Sequence, residues 1–546
     1  MTGAAPETTS GLRRGVYALL IALAAGSATG RILAVNSVNL TVHERERIKA
    51  ATERRKADLI KQGFEGEALE NRVARIRAEY EERLQLQRPF LSGNDRSRWC
   101  TIRALVDDGT YQIEQIVANA EERSIWNTID MIKHRGWDGQ PHLYSTKPPL
   151  FPTLVAGEYW LIKRLTGLTL ADHTFTVVRI ILITVNVGSL IVFLLVLARI
   201  VERYGTTDWG RLVVMATAAA GTFLCTFAVA LNNHLVAAVA VIVALDATLR
   251  ILYEGERRWR FFALAVAAGT FAAATELPAL LFLALFGLAL LWKCPRETLL
   301  AGAPAFAVVM VAALGTNYLA HGGALHEDSK WLDPIKPPYA FRDRGADEEG
   351  KPRDWTNGNW YNYTYEIHDP RRPDRPPRVV QSYWSRDEES LARRSRIDLG
   401  EPSRATYALH MLIGHHGIFS LTPIWLFSMA GMVALCLGRG ESPTRLIGAI
   451  IAVVTVVVFT FYLMQTQENR NYGGMTSGLR WTFWLAPLWL LALLPAADWS
   501  SGSRLRRVVI GVCLAFSVMS ASYPTWNPWT HPWLGQLLAH LGWIEL

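Results

Sequence analysis

Apolar runs of about 20 residues recur along most of this chain, and each is long enough to cross a hydrocarbon core of about 30 Å. The first covers Val16 to Val35. Others lie at Phe175 to Leu197, Leu212 to Leu231, Leu235 to Leu252, Phe261 to Ala274, Leu277 to Trp292, Leu299 to Leu319, Ile418 to Leu437, Leu446 to Met464, Trp481 to Leu494 and Val508 to Met519. In a bilayer only helices and closed barrels satisfy every backbone polar group, and continuous runs of this length predict helices. The expected fold class is therefore an all-α integral membrane protein with about eleven transmembrane helices. Hydrophobic residues make up 50% of the chain and charged residues 19%, which excludes a disordered or single-core soluble protein and leaves room for sizeable wet segments.

Arg13 and Arg14 precede the first run, which lacks a small-residue cleavage site and reads as a retained signal-anchor helix. Arg199, Arg203, Arg211, Arg250, Arg257, Arg258, Arg260, Lys293, Arg296, Arg439, Arg445, Arg504, Arg506 and Arg507 fall in alternate short loops, on the same side as Arg13 and Arg14. This positive-inside pattern predicts a cytoplasmic N-terminus and, with an odd number of spans, an extracytoplasmic C-terminus in a cell (inner or plasma) membrane. The net charge of +8, from 56 Lys and Arg against 48 Asp and Glu, thus sets topology and points to no nucleic acid.

The chain divides into a cytoplasmic tail with the first helix (1–35), a charged arm (36–88), a first extracytoplasmic loop with interfacial helices (89–174), helices two to seven (175–320), an aromatic and Pro-rich extracytoplasmic loop (321–414), helices eight to eleven (415–522) and a Trp-rich extracytoplasmic tail (523–546). In the arm, Leu69, Val73, Ile76, Tyr80 and Leu84 recur at three- and four-residue steps after Gly63 and Gly66, which predicts a helical hairpin, either solvated or bound to a protein partner. The second loop holds WLDPIKPPYAF and DWTNGNWYNYTYEIHDPRRPDRPPRVV, whose aromatic faces suit headgroup anchoring or stacking on sugar rings. Of five cysteines only Cys100 falls on the oxidising side, so no disulfide framework is expected. The outer Asp and His residues lack metal-ligand spacing, so neither a metal nor another cofactor is expected.

A few charges sit on the side that otherwise avoids them. In YSTKPPL, Ser145 or Thr146 is placed to cap a helix whose first turn carries Pro148 and Pro149, leaving Lys147 beside exposed amides that favour an anion. Arg179 opens the second span, and Arg480, after NYGGMTSGL, opens the tenth. Each arginine either snorkels to headgroups or joins Lys147 on one lipid-linked phosphate. LNNHL places Asn232, Asn233 and His234 at an outer helix end, ATELP places Glu276 in an outer turn, and GHHGIFSLTP places His415 and His416 before the eighth span. Such groups so near hydrocarbon need partners or a polar cavity. Asp95 precedes a helix carrying Trp99, Ile102 and Leu105, and reads either as a cap or as an active carboxylate.

At these residues the chain resembles the GT-C superfamily of polytopic glycosyltransferases, in the branch containing the protein O-mannosyltransferases and the bacterial aminoarabinose transferase of lipid A. The resemblance rests on Asn94 and Asp95 followed by Arg98 and Trp99, on YSTKPPL, on TFTVVRI with Arg179, and on HHGIFSLTP and YGGMTSGLRWTFWLAPLWL, in that order over Val16 to Leu494. It implies transfer, with inversion, of one sugar from a polyprenyl-phosphate donor to a lipid, glycan or protein acceptor at the extracytoplasmic face. It also implies Asp95 as general base, Lys147 as donor-phosphate contact, and Arg179 and Arg480 as phosphate or acceptor contacts. The arm is an insertion against the family pattern. A second acid found in some members has no counterpart, with Asn232, His234 and Glu276 nearest to that role.

The chemistry also follows from the side chains. A carboxylate with a pKa near about 4 is ionised at neutral pH and can take the proton of an attacking hydroxyl. Fixed cations and helix-end amides can stabilise the departing phosphate without reorganising. Asn233, His234, Glu276 and His416 would complete the substrate pocket with Lys147, Arg179 and Arg480. Two other classes fit the span count: a multi-span transporter or lipid flippase, which requires broken helices at the midplane, and a non-catalytic scaffold recruiting partners through the arm.

Overall fold

The computed structural model describes residues 7–34, 40–83, 92–118, 123–324, 336–342, 353–368, 374, 376–438, 442–524 and 527–544. The segment WLDPI at 331–335, most of DPRRPDR and Arg439 lie outside the described residues. About 72% of the structure is helical, and eight helices are long and apolar enough to cross a membrane. These are Ser10–Ala34, Thr174–Tyr204, Asp208–Phe227, Asn233–Tyr253, Pro295–Ala324, Arg445–Leu463, Arg480–Ser500 and Arg504–Ser522, with shorter apolar helices at Trp259–Thr275, Leu277–Lys293 and Ile424–Leu437. On Pro295–Ala324 only 11% of the apolar window is buried by protein, and Val308 and Val311 are about 70% exposed. A water-facing surface of that kind is unfavourable over several turns, whereas a lipid-facing one is not. The protein is a helical membrane protein.

Two helices form the centre. The apolar windows of Arg480–Ser500 and Asn233–Tyr253 are 83% and 72% buried, and Trp484 and Leu488 of the former are fully enclosed. Trp425 of Ile424–Leu437 packs edge-on against Trp489 at 5.3 Å between centroids.

Several spans are interrupted. The run expected at Leu212 to Leu231 bends after Gly221, continues as Phe223–Phe227 and then leaves helical geometry. The run expected at Ile418 to Leu437 breaks at Thr422, because Pro423 disfavours helical geometry in the residue before it. Thr174–Tyr204 carries a wider π-turn at Leu182–Val187, and there Asn186, fully buried, donates through Nδ2 to the carbonyls of Ala228 and Ala230, each at 2.9 Å. The Asn186 bonds thus satisfy the backbone opened by the neighbouring break.

Within the described residues the arm forms as expected, with helices Leu40–Lys61 and Gly66–Arg83 joined by a turn in which Gly63 and Gly66 take left-handed φ of +86° and +59°, while Leu84 lies outside the described residues. The outer regions depart from the all-helical expectation. Strands β1 (Met131–Arg135) and β2 (Pro141–Ser145) pair antiparallel with Met131 opposite Ser145, and β3 (Thr364–Ile367) and β4 (Arg378–Gln381) pair with Thr364 opposite Gln381. The β1–β2 turn is closed by Gly136 N donating to Gln140 O at 2.7 Å, with Gly139 at φ +77°. Ile132, Tyr144, Phe341, Trp360 and Tyr361 form a cluster between the two outer regions, and Lys133 N donates to Trp360 O at 3.0 Å.

The ends of the bundle differ. Arg13 on the first helix is clamped by Glu202 at 2.6 Å and by Asp208, while Asp498, near the end of Arg480–Ser500, accepts from Thr206 N and Thr207 N at 2.9 Å each. Arg480, at the other end of that helix, enters a second polar cluster.

Candidate functional site

Three helix ends meet there, each shaped by a local stop signal. In LNNHL, Asn232 Oδ1 accepts from His234 N (3.0 Å) and Leu235 N (3.4 Å), capping Asn233–Tyr253 and fixing Asn233 and His234 in its first turn. Its Nδ2 donates to Phe227 O (2.9 Å) and Ala230 O (2.7 Å), across the break in the preceding span. In ATELP, Pro278 interrupts the helical ladder and leaves Glu276 extended between Trp259–Thr275 and the next helix. In NYGGMTSGLR, Asn471 Oδ1 accepts from Gly473 N (3.1 Å) and Gly474 N (3.2 Å) in a turn with left-handed φ at both glycines. That turn presents the Gly473 carbonyl to Arg480 Nη2. A Cβ at Gly473 would lie 2.8 Å from Arg480 Nε, so the position needs glycine for space as well as for φ.

These ends build a chain of buried polar groups. Arg480 Nη1 lies 3.1 Å from His234 Nε2, and since a guanidinium only donates, His234 accepts there and carries its proton on Nδ1, against Glu276 Oε1. Glu276 Oε1 also accepts from Asn233 Nδ2 (2.8 Å), and Asn233 Oδ1 accepts from Arg98 Nη2. Arg98, buried on the Gly93–Asp107 helix, directs Nη1 to Asn94 O (2.9 Å) and Asn94 Oδ1 (2.6 Å). Arg480 also stacks over Trp529, 4.6 Å from its centroid.

Lys147 completes the set, with Nζ 2.9 Å from Asp130 Oδ2. Burial, reinforced by the like charges of Arg98 and Arg480 and opposed by Asp130, pushes the Lys147 pKa down to about 8. Burial beside Arg480 pushes Arg98 down to about 10. Arg96, Arg98, Lys147 and Arg480 therefore share the cluster with the carboxylates of Asp95, Asp130 and Glu276, four formal positive charges against three negative ones. Arg480 Nε, Arg96 Nη1 and Thr146 Oγ1 are buried without a hydrogen-bond partner among the described residues. Buried donors are seldom left this way, and with the excess charge they suit an anion bearing several acceptor oxygens.

Local details differ from expectation. The helix after Lys147 begins at Leu150 with Pro149 at its cap, not with Ser145 or Thr146, because successive prolines hold the residues before them out of helical geometry. Ser145 Oγ instead accepts from Lys147 N (3.1 Å) and donates to Ser97 Oγ (2.6 Å), which donates to Asp130 O (2.6 Å). Asp95 is buried at the third position of its helix in a capping box with Ser92, its Oδ1 accepting from Ser92 N (2.7 Å), Ser92 Oγ (3.0 Å) and Arg96 N (3.1 Å). Arg179 is tied elsewhere, its Nη2 donating to Leu33 O at 2.6 Å at the end of the first helix.

His416 donates through Nε2 to Thr476 O (3.1 Å) and stacks on Tyr472 at 4.2 Å, supporting the glycine turn that holds Arg480. Arg98 and Asp130 were not singled out as site residues by the sequence, although an Arg on the buried face of a Trp- and Ile-bearing helix is the signal that could have marked the first. The sequence also marks His415 only as a polar residue at a helix end and passes over Glu401 and His410, yet the ligand atoms of all three lie within 4.8 Å of one another.

In comparisons with known proteins, no family model and no curated protein matches the chain.

Proposed function

We propose that the protein is an integral membrane glycosyltransferase of the GT-C type, moving a sugar from a polyprenyl-phosphate donor to an acceptor at the extracytoplasmic face. The observation that carries this reading is the buried meeting of Lys147, Arg98 and Arg480 beside Asp130 and Glu276, with unpartnered donors on Arg480 and Thr146. A phosphate ester presents the charge and acceptor oxygens that such a cluster lacks, and donors already fixed in place stabilise it as the sugar departs. Asn233, His234 and Glu276 hold the cations rather than touch the reacting atoms, and Arg179 is left to the first helix. The base is a carboxylate beside this site. Asp95 is the first choice, and Asp130, paired with Lys147, is the second. In this reading the three shorter apolar helices cross the membrane along with the eight long ones, for eleven crossings, and the positive-inside pattern supports cytoplasmic basic loops with this cluster on the opposite side.

The test is transfer of a labelled lipid-linked sugar by the full chain in membranes. Lys147→Met and Arg480→Met should each lower transfer about 100-fold, the loss typical when one fixed donor to a developing charge is removed. Asp95→Asn and Asp130→Asn assayed side by side identify the base by the larger loss. Wild-type rates in both cation variants would overturn the reading.

A pH profile tests Lys147 separately. The protonated amine binds the anion, so with the free-state value near about 8 the efficiency kcat/KM should fall as pH rises through about 8, well below the ordinary lysine value of about 10.4. Lys147→Arg, which stays protonated across this range, should remove that alkaline limb. An unchanged limb in Lys147→Arg would assign it to another group.

A further inference from the structure

We propose that Glu401, His410 and His415 form a binding site for one divalent transition-metal ion, of the zinc class, separate from the phosphate cluster. One carboxylate oxygen of Glu401 and one ring nitrogen from each histidine lie within 4.8 Å of one another, and all three side chains are partly or fully buried. Two imidazoles and one carboxylate are a donor set that suits Zn(II), with water in the remaining position.

The surroundings prepare these side chains as ligands. Thr476 O accepts from His416 Nε2, so neutral His416 accepts at Nδ1, and the 2.5 Å contact between the two Nδ1 atoms requires His415 to donate there. That fixes the His415 tautomer and leaves its Nε2 with a lone pair. His410 lies face to face with His415 at 4.0 Å, so one ring must turn for both to share an ion, and His410 Nδ1 is buried with no hydrogen-bond partner among the described residues. Glu401 Oε1 accepts from Tyr472 Oη (3.0 Å), and the backbone around Glu401 is pinned by Arg470, which donates to Glu401 O and Pro402 O at 2.7 Å each. Contacts such as that of His416 on the ligand His415 and of the Tyr472 phenol on Glu401 orient metal ligands and tune their basicity.

The placement also gives the ion a consequence. Tyr472, which orients Glu401 and stacks on His416, directly precedes Gly473, whose carbonyl holds Arg480. An ion at Glu401, His410 and His415 would tie the second outer region to the glycine turn.

The experiment uses the full chain purified in detergent without chelator, with metal content measured by mass spectrometry. About one equivalent of zinc is expected. After chelator treatment, titration with ZnCl2 should show saturable uptake, and CoCl2 should give the visible d–d bands of a nitrogen-ligated, low-coordinate Co(II). His410→Ala and Glu401→Gln should abolish the bands, Tyr472→Phe should weaken affinity about 10-fold, and His540→Ala, at an exposed histidine in the tail, should change nothing. Elution volume and tryptophan fluorescence confirm that each variant is folded. A folded wild-type protein with neither zinc nor saturable uptake, or full metal retention in both His410→Ala and Glu401→Gln, would overturn the proposal. None of these readouts involves sugar transfer, so the site stands or falls independently of the proposed activity.

Discussion

Leucine at Gly431 will destabilise the folded protein by about 3 kcal/mol or more, at or beyond the upper end of the usual range for overpacked cores. A Cβ built on Gly431 would stand 1.9 Å from the carbonyl oxygen of Ala492 and 3.5 Å from the Ala496 methyl, so Ile424–Leu437 touches the central Arg480–Ser500 helix backbone to backbone. A side chain could rotate out of the way, but a carbonyl inside a helix cannot. Small residues at helix crossings in a bilayer permit this close approach, where dispersion takes the place of a hydrophobic driving force. Gly431→Ala should already be harmful, and both variants should lower the unfolding temperature and the monodisperse yield from detergent. Gly287→Ala serves as the contrast. Nothing lies within 4 Å of its added Cβ, so alanine there should be neutral or slightly stabilising through helix propensity. Equal behaviour of the two positions would show that the Gly431 contact is not what packs these helices.

How far the sequence carried depended on the signal. The helical spans were legible because lipid demands long continuous apolar runs, and the observed helices fall on the expected runs with shifted ends. The interruptions were not legible in the same way. Leu212 to Leu231 is apolar throughout, and hydropathy does not report that the chain turns after Gly221 or that Asn186 on another helix satisfies the carbonyls this exposes. The β1–β2 hairpin was missed because MIKHR and PHLYS alternate poorly. Its pairing depends on packing with Phe341, Trp360 and Tyr361, more than 190 residues away.

The site shows the same division. Lys147, Asn233, His234, Glu276 and Arg480 were visible because polar groups near hydrocarbon need a reason, and the structure joins them through Arg98, Asp130 and one another. Arg179 carries the same signature, but there the reason is local, since a backbone carbonyl at Leu33 receives it. The sequence signal reports that a charge is held, not what holds it. His410 and His415 sit around the end of a short helix and Glu401 in the irregular connector before it, a spacing that matches no recurring ligand pattern and becomes meaningful only once the turn at Gly414 folds back.

Arg98→Met tests whether that polar chain is a unit. The substitution keeps an apolar stem of similar length and removes the fork that joins Asn94 to Asn233, leaving Asn233 Oδ1 without its donor and Glu276 and Asp130 with one cation fewer. Breaking a buried charged network from one side costs about 3–5 kcal/mol. Relief of the repulsion among Arg98, Lys147 and Arg480 acts the other way, so the lower end, about 3 kcal/mol, is expected in unfolding measurements in detergent. The same relief has a second, separable result. With a neighbouring like charge gone, the Lys147 pKa should rise from about 8 toward the ordinary lysine value, and the alkaline fall in kcat/KM should move to higher pH. Arg98→Lys restores the charge without the two-pronged geometry, so it should keep the Lys147 limb near its original place while recovering only part of the stability. A variant as stable as the parent with an unmoved limb would show that Arg98 and Lys147 do not share a site, and the phosphate reading would lose one of its three cations.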